Sequence, residues 1–283
     1  MSNGPAQLYE TLARYQWLRR RWGGAEPGAG LEIRKRLLPA ATPPEDSGEA
    51  LDRWLLQLAA VPDGGKVLDL GCGFGASLLR WTEWSGGQGL GVTASPFQVA
   101  RANEEAVRRG LDGRCRFVVQ DFTAPVADSF GAVFAIEALG HAPDLAAVLA
   151  GVHRCLAPGG RFVQVEDLLR EPAAADDRCV SELSRCWSSP PLRDLATAKA
   201  ALAAAGLDLV REIDLTERVA PAAPRLLDRR ESRLRWWRAA LPIAPWHRLA
   251  DAFLGGSALE RLYASGRACY RVFVCERTRP SKP

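Results

Sequence analysis

No stretch of about 20 apolar residues occurs in this chain, so nothing in it reads as a membrane-spanning helix. The seven cysteines (72, 115, 155, 179, 186, 269 and 275) form no C-x-x-C pair. Their odd number and scattered spacing argue against a disulfide frame or a zinc site, and no other metal-ligand set is read. Met1 to Leu8 lacks both a basic start and an apolar run. No signal peptide is therefore expected, and a cytoplasmic protein with reduced thiols is. A strong charge of one sign is also missing. The net charge is only +4, without the one-sided basic concentration that nucleic acid demands. There are no internal repeats or low-complexity tracts. Methionine is nearly absent, and alanine, arginine and proline are heavy. That pattern fits a high-GC coding bias, so alanine is discounted as a helix signal.

What is present is a core. The chain has 283 residues, 47% of them hydrophobic, enough for one large domain with insertions. From about residue 49, short and nearly continuous apolar runs alternate with helical patterns. Strands are predicted at about 66–70, 88–93, 115–120, 130–136, 161–166, 207–214 and 268–276. Helices are predicted at about 50–60, 75–84, 96–109, 143–156 and 193–205. Continuous apolar strands belong to a sheet covered on both faces. The alternation predicts an α/β fold with a doubly wound, mostly parallel seven-stranded sheet. Residues 1–48 form a separate helical cap, with helices over Gln7–Trp22 and Leu31–Leu38, set before a main domain of 49–283. Residues 170–192 and 216–267 are insertions. The second, placed before the last strand, is expected to be a helical lid.

The most informative stretch is Val67-Leu68-Asp69-Leu70-Gly71-Cys72-Gly73-Phe74-Gly75. An apolar strand carrying one acid breaks into a glycine-rich turn, then into a helix. Glycines let the backbone bend sharply and let a ligand come close. Gly71, Gly73 and Ala76 also satisfy a dinucleotide fingerprint, but two features argue against one. Asp69 stands inside the strand, where a pyrophosphate has no use for an anion and a sulfonium ligand bearing an amino group does. The next strand ends in Gly91-Val92-Thr93, without the acid that would hold a dinucleotide's ribose.

Ser95 reads as a helix N-cap, with Pro96 at the first helical position and Gln98 completing a capping box. The other reading gives Thr93 and Gln98 to the ribose hydroxyls, with Ala94 between them in the same turn. Asp121, at the end of the third strand, can accept from an adenine amino group, and Phe122 can pack on the ring. The alternative is that Asp121 only caps a turn.

Val67 to Gly75, Gly91 to Gln98, Asp121-Phe122 and Pro158-Gly159-Gly160 together resemble the class I S-adenosylmethionine-dependent methyltransferases, over about 49–215. Gly-Val-Thr-x-Ser-x-x-Gln resembles the branch acting on small, often lipophilic molecules. That branch includes tocopherol, sterol and prenyl-diphosphate C-methyltransferases and natural-product methyltransferases. The resemblance implies S-adenosylmethionine as cofactor and S-adenosylhomocysteine as product. It implies cofactor contacts from Asp69, Gly71, Cys72, Gly73, Gly75, Thr93, Ala94, Gln98, Asp121 and Phe122. The branch commonly carries Glu-x-x-x-His after the fourth strand, here Glu137 to His141. The resemblance thus implies His141 as a base and Glu137 near the cofactor or substrate. A local structural role at the following helix start is the alternative for His141.

Six aromatic residues, Tyr15, Trp17, Trp22, Trp187, Trp236 and Trp237, are candidates for substrate walls; ordinary packing is the alternative for each. Arg19-Arg20-Arg21 and Arg34-Lys35-Arg36 are read as solvated helix faces, with a substrate diphosphate as the competing reading. The expected reaction is methyl transfer to a small, largely apolar metabolite, with carbon of an isoprenoid or aromatic ring preferred over oxygen or nitrogen. Two alternatives stand beside it. One is a cofactor-bound cyclase or isomerase that methylates nothing. The other is a membrane-docking module built on 229–254, where arginines mix with tryptophans.

Overall fold

The computed structural model describes residues 5–22, 34–35, 37–40, 42–45, 48–124, 126–173, 176–241 and 243–278. The predicted alternation is realised. Helices α1 (Pro5–Trp22) and α2 (Glu49–Ala59) precede β1 (Lys66–Leu70), α3 (Ala76–Ser85), β2 (Gln88–Thr93), α4 (Pro96–Arg108), β3 (Cys115–Val119) and β4 (Phe130–Ile136). Then come α5 (Leu145–Cys155), β5 (Leu156–Leu169), α6 (Arg178–Trp187), α7 (Leu195–Ala204), β6 (Leu207–Asp214), α8 (Pro224–Ala240), α9 (Ala244–Ala264) and β7 (Ala268–Arg277).

The sheet order is β3-β2-β1-β4-β5-β7-β6. β1 pairs in parallel with both β2 and β4, while β7 runs antiparallel between β5 and β6. The chain leaves β1 toward one edge and returns on its other side with β4. That reversal opens a crevice at the carboxyl ends of β1 and β4, the place where such sheets bind ligands.

Two apolar clusters hold the sheet. On one face Trp81 stacks on Phe134, with ring centroids 3.9 Å apart, among Leu51, Leu55, Leu78 and Tyr270. On the other, Val148, Leu149 and Val152 of α5 pack against Leu68, Val133 and Phe162. Ser95 caps α4 by accepting from Gln98 N, as its position before Pro96 predicts. Asp144 caps α5 in the same way.

Three expectations need correction. The helix over Leu31–Leu38 is absent among its described residues. Leu37 instead forms an isolated antiparallel bridge with Val219, and Leu38 N donates to Arg218 O. The described residues 34–35 and 37–40 thus form a strap, which reaches the segment before α8 at Val219 and Arg218. β3 stops at Val119, so Asp121 lies beyond the strand rather than at its end. β5 begins at Leu156, not 161, because Leu156 already pairs with Phe130 across a register shift.

The insertions are helical. α9 packs against α6, α8 and α1. α1 in turn bridges α9 and α4: Arg248 donates to Thr11 Oγ1 at 3.0 Å, and the Trp17 ring meets Phe97 edge-on.

Candidate active site

β1 delivers Asp69 and then turns. Gly71 N and Cys72 N both donate to Val92 O, at 2.9 and 3.0 Å, which pins the turn onto β2. Gly71 has φ +79°, and a Cβ there would lie 2.6 Å from Ala138 Cβ. Gly73 has φ +55°, and a Cβ there would meet nothing within 4 Å. The first glycine is needed for packing and the second faces open space, as a ligand cradle requires. The Asp69 carboxylate is buried and receives no hydrogen bond among the described residues. Burial, with Asp52 adding and Arg34 opposing, pushes its pKa up to about 7. A buried carboxylate is costly unless a donor or a cation meets it. A ligand ammonium fits that need, and this is the strongest sign that the turn suits S-adenosylmethionine.

Beside the turn, Thr93 Oγ1 donates to Gln98 Oε1 at 2.7 Å, and both side chains are buried at the end of β2. Ala94 is exposed in the turn that follows. Ser95 Oγ donates to Glu10 Oε2 of α1, so the cap helix is tied to this corner. Asp121 is exposed, and its Oδ1 accepts from Thr123 N and Oγ1, each at 2.8 Å. The turn-capping role is therefore realised at that oxygen. Phe122 packs partly buried against the core.

The other end of the crevice is a polar cage. Glu137, at φ +51°, follows β4. Its Oε1 accepts from Tyr270 Oη at 2.6 Å and from Lys35 N at 2.9 Å. The Lys35 ammonium lies 3.2 Å from Asp167 and over the rings of Tyr263 and Tyr270, at 5.2 and 5.6 Å from their centroids. Tyr263 Oη donates to Asp167. Burial acts to lower the Lys35 pKa, but Asp167 and Glu137 hold it above its usual value. Burial raises that of Glu137, against the pull of Lys35. The chain has thus placed its own cation inside a box of carboxylates and aromatic faces.

Next to the cage, the Tyr9 hydroxyl donates to His141 Nδ1 at 2.6 Å. The His141 ring also meets Trp187 at 5.6 Å, whose Nε1 donates to Ala252 O. Burial, with Arg193 adding and Asp167 opposing, pushes His141 down to about 4, so it is a neutral imidazole at pH 7. Burial and then Glu166 raise the Tyr9 phenol. Glu166, itself pushed up to about 8 by burial and Asp167, accepts from Gly140 N at 3.0 Å.

Asp69, Gly71, Cys72, Gly73, Gly75, Thr93 and Gln98 thus converge on one corner, and Glu137, His141 and Trp187 on the next. Tyr15 packs edge-on against Phe253, and Trp17 against Phe97 beneath the Arg101 guanidinium. Trp236 and Trp237 are not brought to the crevice. They touch each other on the outside of α8, 62% and 48% exposed. The Trp22 side chain lies outside the described residues, as do those of Arg20, Arg21 and Arg36.

The solvated-face reading fails for Arg34 and Lys35. Arg34 is buried against Asp52, which Arg80 Nε also contacts at 2.7 Å, and Lys35 fills the cage. Sequence reasoning missed Tyr9, Lys35, Glu166, Asp167, Tyr263 and Tyr270. Glu166-Asp167 inside an apolar strand was the one available signal, since paired acids there must meet partners. An open groove between α6 and the end of β5, lined by Leu169, Val180, Ser184 and Leu192, includes none of the turn or cage residues.

Comparison with known proteins agrees with this geometry. Residues 68–164 match the methyltransferase domain family. The chain is 30% identical over 200 residues to the 24-methylenesterol C-methyltransferase 2 of Arabidopsis thaliana, covering 69% of this chain and 55% of that protein. It is 37% identical over 139 residues to a sterol 24-C-methyltransferase of Gibberella zeae, covering 46% and 37%. The chain thus spans about half the length of the curated relatives it matches. Among solved structures, the geranyl diphosphate C-methyltransferase of Streptomyces coelicolor, in complex with Mg2+, geranyl diphosphate and S-adenosyl-L-homocysteine, superposes with a TM-score of 0.69. That match has 19% identity and covers 96% of this chain and 98% of that one. The cyclase SpnF superposes with a TM-score of 0.72 at 21% identity, covering 99% and 98%. At these identities the structures speak for the fold.

Proposed function

The chain belongs to the class I S-adenosylmethionine-dependent methyltransferases, and on that premise we propose that it methylates a carbon of a small isoprenoid. When bound, the cofactor would supply an electrophilic methyl group. Asp69 would hold its ammonium, Thr93 and Gln98 its ribose hydroxyls, and the open space at Gly73 would let it approach the backbone. The leaving group is already good, so the protein's work is to align the acceptor, exclude water and manage charge.

The observation that carries the choice of carbon is the cage. An alkene that accepts a methyl group becomes a carbocation. Asp167, Glu137, Tyr263 and Tyr270 already surround a positive charge, that of Lys35. Ala138, the neighbour of Glu137, abuts Gly71, so the cage stands beside the cofactor turn. The same groups would stabilise a substrate cation once the Lys35 strap withdraws. The cation is quenched by loss of a proton from an adjacent carbon. Tyr9 Oη receives that proton while passing its own to His141 Nδ1, and the C–H electron pair restores an alkene. The neutral state of His141 keeps its lone pair available for this relay. The sterol methyltransferase relatives support the same class of acceptor.

The test uses methyl-deuterated S-adenosylmethionine with a panel of acceptors: geranyl diphosphate, a sterol with a side-chain alkene, a phenol and an amine. The expected result is a product with three deuterons on carbon, formed from an alkene together with S-adenosylhomocysteine. Label found only on oxygen or nitrogen would overturn the choice of carbon. An isomerised alkene without S-adenosylhomocysteine would point instead to the non-methylating reading.

A further inference from the structure

The surface that the site does not use is the outside of α8. Its inner face packs on α9 through Leu227 and through ion pairs that consume the acids of both helices. Arg230 binds Glu260 at 2.5 Å, and Arg261 binds Asp228 and Glu231 at 2.6 and 2.8 Å. The outer face is different. Arg225, Arg229, Arg233, Trp236 and Ala240 recur at spacings of three and four and share one stripe of the helix. Leu226 and Trp237 flank the stripe, and Ile243 and Trp246 at the start of α9 are exposed as well. Leu226, Ile243 and Trp246 are each about half exposed, at 58%, 49% and 51%. Among the described residues no acid lies within ion-pair distance of Arg225, Arg229 or Arg233.

Half of this face is therefore unneutralised positive charge, and the other half is three exposed indoles with aliphatic neighbours. Exposed tryptophans gain most at a water–hydrocarbon boundary, and unpaired arginines gain most beside fixed anions. Both gains are available together at an anionic bilayer. A protein partner would have to offer acids beside a flat apolar ledge. We propose that the outer face of α8 and its turn into α9 dock the protein on an anionic membrane surface. The inward helix of this pair, α9, carries Tyr263 of the cage. The inference stands on surface residues and does not require the isoprenoid assignment.

The experiment is flotation of the full chain with vesicles of phosphatidylcholine alone, or with about 30 mol% phosphatidylglycerol. The wild type is expected to float with the anionic vesicles and to leave them as salt rises. Trp236→Ser with Trp237→Ser should lower the partition coefficient ~10-fold or more. Arg229→Glu with Arg233→Glu should abolish the preference for anionic lipid. All four positions are exposed, so thermal unfolding should stay unchanged, which separates docking from folding. A wild type that floats with neither vesicle overturns the proposal. So does a tryptophan pair variant that floats as well as the wild type. Self-association through this face, lost in the same variants while vesicles are ignored, would assign it to a second copy instead.

Discussion

At the β1 end of the crevice, Asp69, Gly71, Gly73, Thr93 and Gln98 come from one strand-turn-helix-strand passage between residues 69 and 98. At the other end, Lys35, Glu137, Asp167, Tyr263 and Tyr270 come from a strap, two strand ends, a late helix and the last strand. The first end is fixed by local backbone geometry, with glycines at positive φ and a turn pinned to Val92. The second exists only once the sheet and α9 have closed. The first end should therefore govern whether the cofactor binds, and the second what happens after it binds.

The largest expected effect separates the two ends. Asp69→Ala should weaken S-adenosylhomocysteine binding ~100-fold or more in calorimetry, because it removes the carboxylate proposed to meet the ammonium. Near-native affinity would dissolve the distinction. Asp167→Asn should do the reverse and slow turnover by roughly 100-fold while leaving cofactor affinity unchanged. A parallel loss of affinity would mean that the cage is part of the cofactor site.

A finer test uses pH. Asp69 has its pKa raised to about 7 in the free protein, whereas the bound ammonium calls for its ionised form. Binding must then release a proton, so affinity rises with pH. Between pH 6 and 7.5 the gain should be roughly 5–10-fold, read by calorimetry in buffers of different ionisation enthalpy. Asp69→Asn should show no such slope. A steep slope in that variant would move the titration to another group.

The smallest effects compare two glycines. Gly71→Ala puts a Cβ against Ala138 at positive φ and should lower stability by about 1–3 kcal/mol in thermal unfolding. Gly73→Ala carries the backbone strain without the collision, about 1 kcal/mol, yet it should cost more cofactor affinity because its Cβ enters open space. Equal stability losses would show that Gly71 is not held by packing.

The legible part of the site follows the same division. The turn at Gly71 to Gly75 and the cap at Ser95 were readable because backbone conformation depends on neighbours a few residues away. Glu137 and His141 were readable as a spaced pair, but their partners were not. Tyr9 and His141 are separated by 132 positions, and nothing local marks Tyr9 apart from other aromatic residues of α1. Arg34 and Lys35 misled because a basic run reads as solvated unless its acids are known. Asp52 lies 18 positions from Arg34, and Asp167 much further along the chain. Trp236 and Trp237 read as pocket walls because composition does not say which face of a helix turns inward.

By itself the sequence determined the α/β sheet, the glycine turn, its acid and the family, since each is encoded in hydrophobic period and local backbone freedom. Only the tertiary structure decided that a lysine of the strap enters a cage of distant carboxylates and tyrosines. It also decided that His141 is held by Tyr9 and that the paired tryptophans of α8 face out. The physical reason is that buried charges and exposed indoles are defined by what surrounds them. Those surroundings are assembled from segments far apart in the chain, as Tyr9 and His141 are, 132 positions from each other.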